Sequence, residues 1–333
     1  MNKLLTISVA AYNIETTLDT LMRSIIAADV MPALEVLIVS DGSTDGTAAL
    51  AQTYAQAYPD SVRLIEKPNG GHGSTINRGI REAKGKYFRA LDGDDWLHSE
   101  HLAALIRRME TVDADIILSD FRSCYDDGRE EVESFPALTD GETYSFDEVA
   151  RVVDWMRYHT VIYRTALLQE HDIRLDEHCF YVDTEFMLYP VPFVSTVYYA
   201  KDDLYCYRLG DEGQSVSIPS RVKHIENGFT VAESLLSYYE AHKEGLSEEK
   251  RAYFVREIAS HCLWHIKSLI YCPESSETHE RLVRFDRSIR DRAPEIWREM
   301  ANKGVKSRLL KVLRYSGYRA YGPLVRRKVR RGE

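Results

Sequence analysis

The chain has 333 residues, of which 44% are hydrophobic and 29% charged, and its formal net charge at pH 7 is −9. This length fits one large domain or two, and the composition excludes a disordered, collagen-like or coiled-coil chain. No run approaches the roughly 18 consecutive apolar residues that a membrane-spanning helix needs. The five cysteines are odd in number and form no C-x-x-C pair, so we predict buried free thiols in a reducing cytoplasm.

The first third of the chain alternates short apolar runs with helical patterns. The runs predict buried strands at residues 4–10, 35–40, 62–66, 87–91 and 115–119, and helices are predicted at 16–28, 47–58, 74–83 and 99–109. The first run is interpreted as a strand and not as a signal peptide, because no small-residue cleavage site follows it. Since parallel strands need crossover helices, the alternation predicts an α/β fold with a doubly wound, largely parallel sheet.

The rest of the chain is more mixed. Asp126-Asp127-Gly128 is typical of a hairpin turn. Residues 161–163 and 194–208 have β-like patterns, and a short helix is predicted at 183–189. After Val222 the pattern is helical almost to the end, with apolar spacing at 225–236 and 252–270.

Polar residues follow each of the first four predicted strands. Tyr12-Asn13-Ile14-Glu15 follows the first, residues 41–47 the second, residues 67–73 the third, and Asp92-Gly93-Asp94-Asp95 the fourth. In a doubly wound sheet the ligand crevice lies beyond the carboxyl ends of the strands. We therefore predict that these four loops meet at one rim and form a binding site of nucleotide size.

Asp92 and Asp94 stand two positions apart at a strand end, with a glycine between them. Such a pair can direct carboxylate oxygens at one Mg²⁺ or Mn²⁺ ion, which keeps open positions for phosphate oxygens. The alternative is a solvated acidic turn, or an N-cap cluster for the helix that begins near Ser99. The preceding strand–helix alternation favours the metal site.

The loop at residues 41–47 lacks the glycine fingerprint of a Rossmann fold, and the chain has no P-loop sequence. Asp41 lies directly at the strand end, where we expect its carboxylate to be free to accept a hydrogen bond from a base N–H. Gly71 and His72 begin the next predicted helix, whose amides favour anions. His72 is either a phosphate contact or an exposed loop histidine, and Asn77 either ties elements together or faces the nucleotide.

Asp183 and Glu185 precede an apolar helix and form an isolated carboxylate pair. A carboxylate in a cleft can act as a general base. The competing interpretation is that Asp183 is the N-cap of the helix.

Taken in order, these segments resemble bacterial family 2 glycosyltransferases of the GT-A fold. The matching motifs are SVAAYN (8–13), VSDGSTDGT (39–47), NRG (77–79), GKYFRALDGDD (85–95), DTE (183–185), YCYR (205–208) and GQS (213–215). The resemblance implies an inverting glycosyltransferase of the hexosyltransferase type, acting on a nucleotide-sugar, with UDP as the nucleotide, and on a glycan acceptor. It also implies a catalytic domain at 1–218, with nucleotide-sugar binding at 1–110 and the acceptor side at 111–218. The helical pattern that follows predicts a helical C-terminal region at 219–333, which the resemblance does not cover.

The resemblance implies roles for individual residues. Asp41 would accept from the uracil N3–H, Asp94 with Asp92 would bind Mn²⁺ or Mg²⁺, and Asp183 would deprotonate the acceptor hydroxyl. The implied contacts to the nucleotide-sugar are Ala10, Tyr12, Glu15, Asp41, Gly71, His72, Asn77, Asp92 and Gly93. Those expected to close over the diphosphate or acceptor are Arg208, Gln214 and Ser215. The chain departs from the pattern of many members at Ala10, Ser40 and Val182, where those members have Pro, Asp and Glu.

Residues 303–331 contain eleven lysines and arginines, and only Glu333 opposes them. Apolar and basic residues alternate at 305–314, which predicts an amphipathic helix that lies on an anionic membrane surface. A cytoplasmic enzyme on the inner face of the plasma membrane would thereby reach a lipid-linked acceptor for surface polysaccharide synthesis. The alternatives are a solvated helix packed on the catalytic domain and a nucleic-acid patch; the acidic body argues against nucleic acid.

Two other functions remain open at this point. A nucleotide-sugar nucleotidyltransferase would share a related sheet, but it would need a basic glycine-rich loop where this chain has Tyr12-Asn13. A non-catalytic nucleotide- or glycan-binding homologue would keep the fold, but Asp92 and Asp94 argue against it.

Overall fold

The predicted alternation of strands and helices is confirmed in the computed structural model, which describes residues 3–210, 217–272 and 275–303. The chain divides into two units, Met1–Asp211 and Glu212–Glu333. The first unit is α/β, and the described part of the second is helical. The assignment of a function to each unit stays a prediction.

The strands of the first unit form one ten-stranded sheet. Their bounds are β1 Leu5–Ala11, β2 Leu34–Asp41, β3 Val62–Lys67, β4 Tyr87–Asp92, β5 Trp96–Leu97, β6 Ile116–Tyr125, β7 Glu130–Glu133, β8 Thr143–Ser145, β9 Val161–Arg164 and β10 Thr196–Leu209.

The main strand order is β3-β2-β1-β4-β9-β6-β10-β5. The pairs among β3, β2, β1 and β4 are parallel, as predicted, and β6 is parallel to β10. β9 lies antiparallel between β4 and β6. The sheet is therefore largely parallel along its main path, with β9 reversed near its centre, and β5, β7 and β8 also pair antiparallel. The reversed strand β9 carries the segment just before it, residues 158–160, to the same edge as the end of β4.

Helices cover both faces of this sheet. In the first unit they are α1 Leu18–Ile26, α2 Thr47–Ala57, α3 His72–Glu82, α4 Ser99–Met109, α5 Phe146–Val152, α6 Thr165–Glu170 and α7 Asp183–Leu188. α1 and α4 bury leucines and isoleucines against the face of β1 that carries Ile7 and Val9. α3 lies on the other face, where Gly79 permits close approach because a Cβ at this position would overlap Ser8.

The described helices of the second unit are α8 Ile218–Lys223, α9 Ile225–His242, α10 Glu248–Tyr271, α11 Ser276–Arg292 and α12 Pro294–Asn302. Ser217, Ser247 and Ser275 each accept a hydrogen bond from a backbone amide of the first turn, which stabilises the starts of α8, α10 and α11. The core of the unit contains buried side chains from α9, α10 and α11, among them Leu236 and Phe254.

The sequence did not predict β5, β7, β8, α5 or α6. Every side chain of β7 is exposed and three of the four are glutamates, so the strand has no apolar pattern; it forms because it pairs with β6 across the predicted turn at Gly128. All five cysteines are buried and free, as predicted. Among the residues that the structure describes, no helix has the length and apolarity to cross a bilayer.

Candidate active site

The carboxyl ends of β1, β2 and β4 lie side by side, so the loops that follow them meet at one edge of the sheet. Ala10 on β1 is paired in register with Asp92 on β4, and Ala11 with Ser40 on β2. Gly93 is buried here, and a Cβ at this position would lie 2.7 Å from the carbonyl oxygen of Ala10. Only glycine fits this turn, which leads into the loop that carries Asp94 and Asp95.

Asp92 is the centre of a cluster from separate parts of the chain. Its Oδ1 accepts from the hydroxyl of Tyr158 at 3.3 Å and lies 3.6 Å from Nε2 of His72. Burial raises the pKa of the Asp92 carboxyl to about 6; His72 opposes this rise, and the negative charges of Asp183 and Asp94 add to it. The site therefore concentrates negative charge that a cation would stabilise.

Asp183 is the first residue of α7, and Oδ1 of its carboxylate also lies 3.6 Å from Nε2 of His72. The N-cap is Val182, so the interpretation of Asp183 as N-cap is wrong. Its side chain is 57% exposed and stays accessible to a substrate. Protein atoms packed around the carboxylate raise the pKa of Asp183, and His72 opposes the rise. Glu185, in contrast, is buried and accepts from the backbone amide of Asp176 at 2.8 Å.

Asp92 also belongs to a second group, which consists of possible metal ligands. Asp92, Asp95 and His159 each have one possible ligand atom, and these three atoms lie within 4.8 Å of one another. The hydroxyl of Tyr205 donates to Asp95 at 2.6 Å, and the backbone amide of Arg208 donates to it at 2.7 Å. Burial, with Asp92 and Asp94 nearby, raises the pKa of Asp95. Asp94, the predicted metal ligand, is exposed and is not part of this group.

These donors fit a divalent cation. Within the described part of the chain, Nδ1 of His159 is buried without a hydrogen-bond partner. Burial, with Arg89 and Arg157 nearby, lowers the pKa of His159 to about 3, so the ring is neutral as a ligand must be. The hydroxyl groups of Tyr158 and Tyr205 donate hydrogen bonds to the carboxylates of Asp92 and Asp95, and hydrogen bonds of this kind orient metal ligands.

Arg89 contacts two residues near this group of possible metal ligands, His159 and Tyr205. It is fully buried on β4, donates to the backbone carbonyl of His159, and lies 5.0 Å from the ring centre of Tyr205. Burial lowers its pKa to about 10, so it remains charged at neutral pH. A buried cation thus stabilises the backbone of the segment that presents Tyr158 and His159.

Asp41 differs from its prediction. It is buried at the end of β2, and its carboxylate accepts from the amides of Gly70 at 2.9 Å and Gly71 at 2.8 Å and pairs with Lys67. The carboxylate is therefore not free for a base N–H. Instead, it organises the turn that starts α3, and the Gly71 amide that was predicted to approach an anion points to Asp41.

Asn77 also differs from the nucleotide-sugar contact that the resemblance implies. Its amide group accepts from the backbone N–H of Leu175 at 2.8 Å and donates to the carbonyl of the same residue at 2.9 Å. Asn77 thus ties α3 to the segment that precedes α7 and does not face the carboxylate cluster. Of the two interpretations left open by the sequence, the structure favours the tie.

The remaining predicted contacts lie around the same edge. Tyr12 is exposed, whereas the carboxylate of Glu15 accepts from the backbone amide of Gly46 at 2.9 Å, at the start of α2. Glu15 is therefore engaged with the protein backbone. The guanidinium of Arg208 lies 5.6 Å from the ring centre of Trp96. Gln214, Ser215 and the basic segment beyond Lys303 lie outside the described residues, so the predictions for them stay predictions.

Sequence reasoning missed four contributors to the site: Arg89, Asp95, Tyr158 and His159. Asp95 follows the predicted Asp92–Asp94 pair directly, so its position in the sequence already indicated that it could belong to the site. Tyr158 and His159 have no motif, and only the reversed strand β9 brings them beside Asp92.

Residues 6–170 match the family model described as "Glycosyl transferase family 2". The chain is 27% identical over 211 residues to the "Putative glycosyltransferase EpsH" of Bacillus subtilis, a match that covers 60% of this chain and 59% of that protein. The chain thus spans about three fifths of the length of the first curated relatives that it matches.

Two solved structures share the fold. S. aureus TarS 1-349 in complex with UDP-GlcNAc superposes with a TM-score of 0.69 at 20% identity, covering 99% of this chain and 92% of that chain. The mannosyltransferase PcManGT from Pyrobaculum calidifontis, in complex with GDP-Man and Mn²⁺, superposes with a TM-score of 0.52 at 15% identity, covering 94% and 88%. The predicted GT-A fold class is therefore confirmed.

Proposed function

We propose that this chain, which belongs to glycosyl transferase family 2, transfers a sugar from a UDP-sugar to a hydroxyl group of a glycan acceptor with inversion at the anomeric carbon. The observation that carries the proposal is the convergence of Asp92, His72 and Asp183 at the carboxyl edge of a GT-A sheet. The family membership and the nucleotide-sugars bound in the two similar structures support it further.

In this proposal Asp183 is the general base. Its carboxylate is exposed to an incoming acceptor, and its raised pKa makes it a better proton acceptor than an ordinary aspartate. Nε2 of His72 lies 3.6 Å from this carboxylate and links it to Asp92. If Asp183 takes the proton on the face opposite the departing diphosphate, a single displacement inverts the anomeric centre.

Asp92, Asp95 and His159 would hold a divalent cation, with Asp94 at the exposed rim of the same loop. Such an ion would supply positive charge to the departing diphosphate. The imidazole nitrogen in this donor set favours Mn²⁺ over Mg²⁺, because Mg²⁺ prefers oxygen ligands. Tyr158 and Tyr205 orient the carboxylates so that their hydrogen bonds need not rearrange when a substrate binds.

The proposal is tested by incubating the purified protein with UDP-, GDP- and dTDP-sugars, with and without Mn²⁺, and recording the melting temperature and the release of free nucleotide. We expect a UDP-sugar to raise the melting temperature in the presence of Mn²⁺ and to be hydrolysed slowly without an acceptor. A protein that none of the nucleotide-sugars stabilises would contradict the proposal.

The acceptor is proposed to be lipid-linked and reached from the cytoplasmic face of the membrane through the basic segment 303–331. Its eleven basic residues support this part of the proposal. Sedimentation with vesicles of phosphatidylglycerol and phosphatidylcholine tests it, and equal binding to purely zwitterionic vesicles would argue against an electrostatic attachment.

A further inference from the structure

A recess of about 180 Å³ lies in the first unit, and none of the carboxylates used above lines it. Its walls come from the end of β7, the loop that follows it, and residues 152–160. Trp155 lines it with 48% of its surface exposed, and Val152 beside it is also exposed. An exposed indole that lines a mixed apolar and polar recess indicates a binding surface, since large aromatic side chains are otherwise mostly buried.

The indole of Trp155 is held rigidly. The guanidinium of Arg157 lies 3.7 Å from the centre of the ring and covers one of its faces. Arg157 in turn donates to the carboxylate of Glu133 at 2.8 Å. Because these contacts fix the ring before a ligand arrives, stacking on its exposed surface costs little conformational entropy.

The recess shares a wall with the active site. Phe121 lines it, and the same ring stacks on His159 with 5.2 Å between the ring centres. Arg157 and Thr160 also line it, and they flank Tyr158 and His159 in the chain. A ligand in the recess therefore lies next to the segment that contacts Asp92, on the acceptor side of the sheet.

The charged groups that line the recess are more negative than positive. They are the carboxylates of Glu133 and Asp154 and the guanidinium of Arg157. Carboxylates are strong acceptors for the hydroxyl groups of a sugar. They repel the phosphate groups of a phosphodiester polymer, and a ligand of this kind would need more positive charge than the recess offers.

We propose that this recess is an acceptor subsite that binds one neutral pyranose ring of the glycan. The apolar C–H face of the pyranose stacks on the exposed indole of Trp155, and its hydroxyl groups donate to Glu133 and Asp154. The inference rests on the proposed glycosyl transfer and narrows its acceptor to a neutral sugar near the reacting hydroxyl.

Saturation-transfer NMR of the full chain tests the subsite, with UDP and Mn²⁺ present to fill the donor site. The probes are the methyl pyranosides of glucose, galactose, mannose and N-acetylglucosamine, together with glycerol 3-phosphate. We expect at least one pyranoside to receive saturation at its ring protons in the wild type. Trp155→Ala is expected to abolish the signal, Trp155→Phe to keep part of it, and Glu133→Gln to weaken binding at least about threefold.

The matched control is Val132→Ala, which changes an equally exposed apolar side chain on β7 that does not line the recess. It is expected to bind the pyranoside as the wild type does. The inference is overturned if Trp155→Ala binds as tightly as the wild type, if no pyranoside binds, or if glycerol 3-phosphate is the probe that needs Trp155. UDP binding is recorded in the same samples, so failure of the subsite is distinguished from failure of the proposed transfer reaction.

Discussion

Nε2 of His72 lies 3.6 Å from a carboxylate oxygen of Asp183 and 3.6 Å from one of Asp92. The first residue of α3 thus stands between the first residue of α7 and the last residue of β4. His72 therefore links Asp183, the proposed general base, to Asp92 on the proposed nucleotide-sugar side of the site.

Asp183→Asn is expected to lower kcat by about 10²- to 10⁴-fold, because an amide cannot take the acceptor's proton. The KM for the nucleotide-sugar is expected to stay within about twofold, since Asp183 is proposed to contact the acceptor and not the nucleotide-sugar. Steady-state kinetics of nucleotide release in the presence of acceptor measure both constants. Asp60→Asn, which changes an exposed carboxylate just before β3, is the control; unchanged kcat in Asp183→Asn would remove Asp183 from the role.

His159 is predicted to be a nitrogen ligand of bound Mn²⁺. Pulsed EPR of the Mn²⁺-loaded protein without nucleotide is expected to show ¹⁴N coupling that His159→Asn abolishes. The same variant is expected to bind Mn²⁺ about 10- to 100-fold more weakly and Mg²⁺ with a smaller loss. His171→Asn, which alters a histidine stacked on Phe193, should keep the coupling. Nitrogen coupling that persists in His159→Asn would contradict the assignment.

Asn77→Ala is expected to reduce the free energy of unfolding by about 1–3 kcal/mol, because it leaves the backbone N–H and carbonyl of Leu175 without their partners. UDP binding is expected to be unchanged, since Asn77 does not face the carboxylate cluster. Urea unfolding and calorimetric titration with UDP measure the two effects. A loss of UDP affinity at unchanged stability would instead support the role that the family resemblance implies.

The second unit is expected to lose stability on acidification because of His261 and His265. Burial lowers the pKa of His261 to about 4, and burial with nearby cations lowers that of His265 to about 3. The ordinary value is 6.5, so the unfolded chain binds more protons as the pH falls below this value. Each histidine then costs up to roughly 1.4 kcal/mol per pH unit, and this loss continues down to its folded pKa.

Hydrogen-exchange protection factors of α10 between pH 7 and pH 5 measure this decline. His265→Leu is expected to make it shallower, because this side chain packs against Phe229 and neither ring nitrogen has a hydrogen-bond partner among the residues that the structure describes. His279→Gln on α11 should leave the slope unchanged. Protection that is constant over this range would show that the two buried histidines do not set the acid sensitivity of the unit.

Much of the candidate site could be predicted from the sequence because it follows local rules. Asp92, His72 and Asp183 each stand at the end of a strand or the start of a helix, which apolar periodicity locates within a few residues. The convergence of Asp92 and His72 follows from the geometry of parallel strands, whereas Asp183 was expected at the site only because of the family resemblance. The roles of Asp41 and Asn77 could not be predicted, because each depends on which backbone groups a distant loop leaves to be paired.

By itself, the sequence determined the alternation of strands and helices, the loops at the carboxyl edge and the buried free cysteines, since these depend on patterns within a few residues of the chain. Only the tertiary structure decided that β9 runs antiparallel between β4 and β6 and so places Tyr158 and His159 beside Asp92. It also decided that the carboxylate of Asp95, and not that of Asp94, lies close enough to Asp92 and His159 to hold one metal ion with them. The physical reason is that pairing between distant strands, and the burial that follows, depends on the whole core and leaves no periodic trace in the segments that it brings together.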